Sequence, residues 1–183
     1  WTSSGEPDSS QVALFDDLGL GRLTANLNDS DTIAGIRFGA GATSSYNLTS
    51  SANRTLTLSG AVPYIQQQSG SSQTIAIDRL QLNANTVADI TGSGDLIIES
   101  SIRQDGSNRA LIRDGTGSGK LILGGTTDNT YAGGLFINNG IVEARKTTAL
   151  GTGAATIASG ATLELSGGIS PTNAITLGGS GVG

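Results

Sequence analysis

Residues 113–123 read RDGTGSGKLIL and set Gly115, Gly117 and Gly119 ahead of Lys120. A phosphate-binding loop requires G-x-x-x-x-G-K-[ST]: the glycines let backbone N–H groups approach the phosphates, and the final hydroxyl holds magnesium. Here Asp114 stands where the first glycine belongs, and Leu121 replaces the hydroxyl. Upstream, GSGDLII (residues 92–98) repeats GSGKLIL (residues 117–123) with Asp95 in place of Lys120. A phosphate site would not alternate its lysine with a carboxylate, whereas a position just after a chain corner accommodates both. The stretch therefore predicts a corner followed by a strand, with Leu121 and Leu123 pointing inward and Lys120 facing solvent.

The same alternation recurs outward in both directions. TIAGIRF (32–38), RTLTLSG (54–60), TIAIDRLQL (74–82), DLIIES (95–100), LFINNG (135–140), IVEAR (141–145), AATIASG (154–160), ATLELSGG (161–168) and AITLGG (174–179) are short apolar runs bounded by Gly, Asn, Asp or Ser. Such runs read as strands. No helix is expected, because glycine and other helix breakers interrupt the chain too often. Copies spaced by about 20–25 residues belong to a solenoid, in which each unit buries its apolar side only by stacking on its neighbours. Neither a leucine-rich asparagine ladder nor a strict six-residue period is present. The reading is an all-β, parallel β-helix of roughly eight coils, a rod of about 40 Å at ~4.8 Å per coil.

Composition removes several function classes. Histidine and cysteine are both absent from the 183 residues, which excludes Ser-His-Asp and Cys-His catalysis, imidazole metal ligands and a disulfide framework. A net charge of −5 argues against a nucleic-acid partner. No apolar run reaches the ~18 residues of a membrane-spanning helix, so no membrane contact is expected of this segment. Methionine is absent and position 1 is Trp, which predicts an excerpt or a processed product of a longer chain.

The candidate chemistry is sparse. Asp29, Asp31 and Asp105, with Asp16, Asp17 and Asp114 as further carboxylates, are candidate calcium ligands; beside Gly, Asn and Ser they read equally as turn caps. Asn129, Asn138 and Asn139 could contact a sugar, or stack as a corner ladder. Tyr131 and Phe136 are expected in core or corner packing, and Trp1 as a cover for an open edge. The sequons at Asn28, Asn47 and Asn53 are expected by chance where Ser and Thr make up roughly a quarter of the chain. No catalytic residue and no cofactor are expected.

From Gly117 onward the order of residues is specific: Gly117, Gly119, Leu121 and Leu123, then Asn129, Tyr131, Gly133 and Gly134, then Asn138 and Gly140, then Leu150 and Gly151. This pattern resembles the autotransporter-associated β-strand repeat of bacterial surface and secreted proteins. The resemblance divides the chain into degenerate coils (1–116), a recognisable repeat (117–167) and the start of a further coil (168–183), all within one segment of a longer passenger. It implies a right-handed parallel β-helix displayed outside the cell or on its surface, with a scaffold or adhesive role and no enzyme activity. The expected partners are other units of the same kind, through the β-helix ends, with cell-surface glycans as an alternative. A polysaccharide-degrading enzyme on the same fold is the remaining alternative.

Overall fold

Short strands with one apolar face can bury that face by winding into coils that stack, and this chain does so along its described residues. The computed structural model describes residues 8–16 and 23–179; Trp1 and Asp17 lie outside the described residues. The first coil comprises β1 (Val12–Phe15), β2 (Thr24–Leu27) and β3 (Asp31–Ile33). The second holds β4 (Gly35–Phe38), β5 (Asn47–Ser50) and β6 (Thr55–Leu58), and the third β7 (Tyr64–Gln67), β8 (Gln73–Ala76) and β9 (Arg79–Leu82). The fourth holds β10 (Thr86–Ile90), β11 (Leu96–Ile98) and β12 (Ser101–Gln104). Later coils have two strands each: β13 (Leu111–Asp114) and β14 (Leu121–Leu123), β15 (Leu135–Ile137) and β16 (Ile141–Ala144), β17 (Ala155–Ile157) and β18 (Thr162–Leu165). Strand β19 (Ile175–Leu177) opens the next coil.

The strands form three parallel sheets: sheet A, β1-β4-β7-β10-β13-β15-β17-β19; sheet B, β2-β5-β8-β11-β14-β16-β18; and sheet C, β3-β6-β9-β12. The fold is a parallel β-solenoid, and no helix occurs among the described residues. In sheet A the register runs Val12, Gly35, Tyr64, Val87, Ile112, Phe136, Thr156, Thr176. Successive differences give coils of 23, 29, 23, 25, 24, 20 and 20 residues. Eight strands in sheet A bound seven turns, about 34 Å of stack at ~4.8 Å each.

Because alternate side chains point inward, the register lines them up in columns. In sheet B, Leu48, Ile75, Ile98, Leu123 and Ala144 stack at one level, and all are buried. In sheet A the column reads Ala13, Ile36, Ile65, Ala88, Arg113, Ile137 and Ile157, also buried. Two stretches that read as single strands are divided by tight corners: TIAGIRF breaks at Ala34 between β3 and β4, and TIAIDRLQL at Ile77–Asp78 between β8 and β9. Phe136, expected in packing, is instead 39% exposed on the outer side of β15; it occupies the outward position between the buried Leu135 and Ile137.

Sheet C ends at β12, and the following segment closes its edge. The Ser101 hydroxyl donates to Asp128 O (2.7 Å), Ile102 N–H to Asn129 Oδ1 (2.9 Å), and Thr130 N–H to Ile102 O (2.9 Å). Tyr131, fully buried, joins the hydrophobic core beside this segment.

Candidate functional site

A concavity among the described residues lies where corner lengths between sheets B and C are unequal. In the third and fourth coils the corner is two residues, Ile77–Asp78 and Glu99–Ser100. In the second coil it widens to four, Ser51–Arg54, and in the fifth the chain leaves β14 through Gly124–Thr127. Two protruding corners thus flank two tight ones, leaving a groove of about 820 Å³. Its charged lining is Asp78, Arg79, Glu99 and Arg103, and its rims include Asn53 and Thr127.

These charges are held partly by the corners themselves. Arg79 donates to Asn53 Oδ1 (3.3 Å) and Asn53 O (3.4 Å), and Asn53 takes the left-handed backbone conformation at φ 63°. Arg103 Nε donates to the Ser101 hydroxyl (3.2 Å). At the far rim Lys146 Nζ donates to Thr127 O (2.6 Å); burial pushes this amine down to about 8, against the opposing pull of Asp128. Arginines and carboxylates on adjacent coils can hold a ligand bearing both hydroxyls and charge. Sequence reading did not single out these four residues. The available signal was the contrast of the longer SSANR and GGTTDN corners with the tight ID and ES corners.

The residues of the repeat motif have structural partners. Asn129 Nδ2 donates to Ala149 O (3.0 Å), and Tyr131 Oη donates to the same carbonyl (3.3 Å). Burial raises the Tyr131 phenol above its ordinary range. Gly151 adopts φ 72° beneath Tyr131, and a Cβ there would overlap the Tyr131 carbonyl. A Cβ at Gly133 would likewise strike the Arg109–Ala110 backbone, and Gly134 and Gly140 have positive φ. Asn139 Nδ2 donates to Asp114 Oδ1 (2.7 Å), which together with the Gly115 N–H lowers the Asp114 carboxyl; Asn138 N–H donates to Arg113 O (3.0 Å).

The RDGTGSGKLIL stretch forms a corner between sheets A and B and leads into β14. Gly117 and Gly119 lie on Gly92 and Gly94 of the coil before, so close that a Cβ at either would overlap that backbone. Asp95 Oδ1 accepts from Lys120 N–H (2.8 Å), which stacks the two non-equivalent residues of the near-copies. Lys120 is not freely solvated. Its Nζ reaches along the stack to Glu164 Oε2 (2.6 Å) and lies 3.8 Å from Glu143 Oε2, and the Glu164 contact raises its pKa. Arg145 in turn holds the Glu143 carboxyl below its usual range, at 2.7 Å.

Arg113 was missed altogether: it is fully buried and donates to the carbonyls of Asp114, Gly115 (3.2 Å) and Gly119 (3.0 Å). Burial lowers its pKa, opposed by Asp114 and Asp89.

The calcium candidates are divided between two coils, Asp29 and Asp31 on the first and Asp105 at the end of the fourth. Asp29 faces Arg54 at 3.5 Å. Asp31 heads the sheet C column continued by Leu56, Leu80 and Ile102. Asp105, three coils on, is gripped by Arg109 at 2.8 and 2.6 Å, which lowers its carboxyl. Among the described residues no group of three or more acidic side chains is placed to hold a metal ion. Comparison with protein-family models, curated proteins and solved structures finds no match for the chain.

Proposed function

We propose that this chain is a structural scaffold: a stacked rod within an extracellular or cell-surface bacterial protein of the autotransporter-passenger type, able to associate end to end. The observation that carries this reading is at β19. Ile175 and Leu177 continue the columns of Ala155 and Ile157, yet they are 43% and 62% exposed while Ala155 and Ile157 are buried. Among the described residues no strand pairs with the outer edge of β19, and a further coil laid there, from the same chain or from another copy, would bury them. In this reading the chain carries no catalysis, and its outer surface serves solubility and contact. Electron microscopy and sedimentation of the purified chain test the idea: filaments or end-to-end oligomers that Leu177→Asp abolishes are expected. A compact monomer whose ends are covered by its own residues would overturn it.

The groove between sheets B and C favours a second reading, an adhesin that grips surface glycans. Its paired arginines and carboxylates suit a charged, hydroxyl-rich ligand, while the lining contains no aromatic ring for sugar stacking. Binding on a glycan panel that Arg79→Ala and Arg103→Ala remove would support it; a panel with no binder would dismiss it.

A further inference from the structure

The outer face of sheet A carries a second ordered feature. At one outward level the register aligns Val12, Gly35, Tyr64, Val87, Ile112 and Phe136 over six consecutive coils. Five of the six are apolar or aromatic side chains, and Val12 and Phe136 at the two ends are 37% and 39% exposed. Two residues along each strand, the adjacent outward level reads Leu14, Arg37, Gln66, Asp89 and Asp114. Arg37 stands on Tyr64, its Nη2 3.3 Å from the phenol oxygen. Gln66 Nε2 donates to Asp89 Oδ2 (2.8 Å). An apolar ladder is therefore flanked by a polar ladder that is basic toward the first coils and acidic toward the fifth.

We propose that this face docks against the same face of a second copy, with the two solenoids antiparallel. A two-fold axis lying along the strand direction, between the levels of β7 and β10, reverses the coil order and keeps each ladder opposite itself. Arg37 then faces Asp114 of the second copy, Gln66 faces Asp89, Ile112 fills the gap at Gly35, and Phe136 covers Val12. Each pairing occurs twice, as a closed two-fold interface requires. Shifting the axis to the β10 level sets Asp89 against its own copy. Shifting it to the β7 level leaves Phe136 uncovered and sets Leu14 against Asp114. A parallel arrangement either sets the polar ladder against the apolar one or pairs it with itself, Arg37 against Arg37 and Asp114 against Asp114. The contact spans about 24 Å by about 13 Å, which places it in the small, weak class of interfaces. The association is lateral and so distinct from end-to-end stacking.

Sedimentation equilibrium over a concentration series tests this. A dimer with a micromolar dissociation constant is expected, weakened at least tenfold by Ile112→Asp, by Arg37→Asp and by Asp114→Arg. The double variant Arg37→Asp/Asp114→Arg restores both pairs with reversed sign and should return the dimer to within a few-fold of the parent. These positions face outward, and circular dichroism checks that each variant keeps its fold. Leu177→Asp should leave the dimer unchanged. A chain that stays monomeric at ~100 μM, a double variant as weak as the single ones, or a dimer that Leu177→Asp alone abolishes would overturn the proposal.

Discussion

The first four coils and the three that follow share sheets A and B but close their third side by different means. In the early coils sheet C closes it with backbone ladders, to which any alternating strand can contribute. In the later coils no third strand forms, and individual side chains take over. Asn129 and Tyr131 converge on Ala149 O, and Asn173 Nδ2 reaches Gly151 O and Gly153 O at 3.0 and 2.7 Å. The coil shortens to 20 residues. A wall made of backbone tolerates many sequences, whereas a wall made of an asparagine, a tyrosine and close-packed glycines demands those residues in order. This contrast accounts for the fixed places of Asn129, Tyr131, Gly133 and Gly151 in the later coils.

The comparison breaks most directly at Tyr131. Tyr131→Ala should cost about 3–5 kcal/mol, the usual range for emptying a buried aromatic site, as read by urea unfolding. Amide exchange should rise in β15 to β18 and stay slow in β4 to β9. Equal loosening of both halves would show that the two regions do not differ in what closes them.

Arg113→Leu comes next. Arg113 supplies donors to three corner carbonyls in the fifth coil, and leaving buried acceptors unpaired should cost about 2–3 kcal/mol. In the third coil the neutral Gln67 performs a similar task, donating to Ser71 O at 2.9 Å and Gly94 O at 3.2 Å. Arg113→Gln should therefore recover part of the loss in the same unfolding measurement.

Asn129→Ala is expected to cost about 1–2 kcal/mol. The effect should localise: Ile102 N–H loses its acceptor, so its exchange should accelerate well above that of its sheet C neighbours. Unchanged exchange at Ile102 would mean that the edge of β12 is closed by something other than this side chain.

The smallest effect is a pH dependence. Lys146 is about 8 when folded against an ordinary 10.5, so between those values the unfolded chain binds more protons and stability rises with pH. Tyr131 has the opposite sign. Its folded pKa lies above the ordinary 10, so above that pH the unfolded chain releases a proton that the fold retains, and stability falls. Thermal melts should peak near pH 10, between the ordinary values of tyrosine and lysine. Lys146→Met should remove the rise and Tyr131→Phe the fall.

Alternation and glycine-bounded runs made the solenoid legible in the sequence, because a half-buried strand and a tight corner each leave a local signature. The corner reading of RDGTGSGKLIL rested on its near-copy, and in the structure those two corners lie directly on one another. What escaped notice depended on register. Arg113 looks like an outward charge until its level is matched to Ala88 and Ile137. Phe136 looks like core until its strand is placed between two buried neighbours. The charges around the groove come from two successive coils, Asp78 and Arg79 from the third and Glu99 and Arg103 from the fourth, and only stacking brings them side by side.

The unequal corners between sheets B and C carry a lesson about how such a surface can change. The wide corner is exposed at Ser51, Ala52 and Asn53, so adding or deleting a residue there alters relief with little change in the core, whereas Ile77 and Ser100 of the tight corners are buried and tie relief to packing. Lengthening the Ile77–Asp78 corner would raise the floor of the groove, and trimming Ser51–Arg54 would lower a wall. Topography is thus adjustable apart from packing at the wide corner, while at the tight corners relief and core change together.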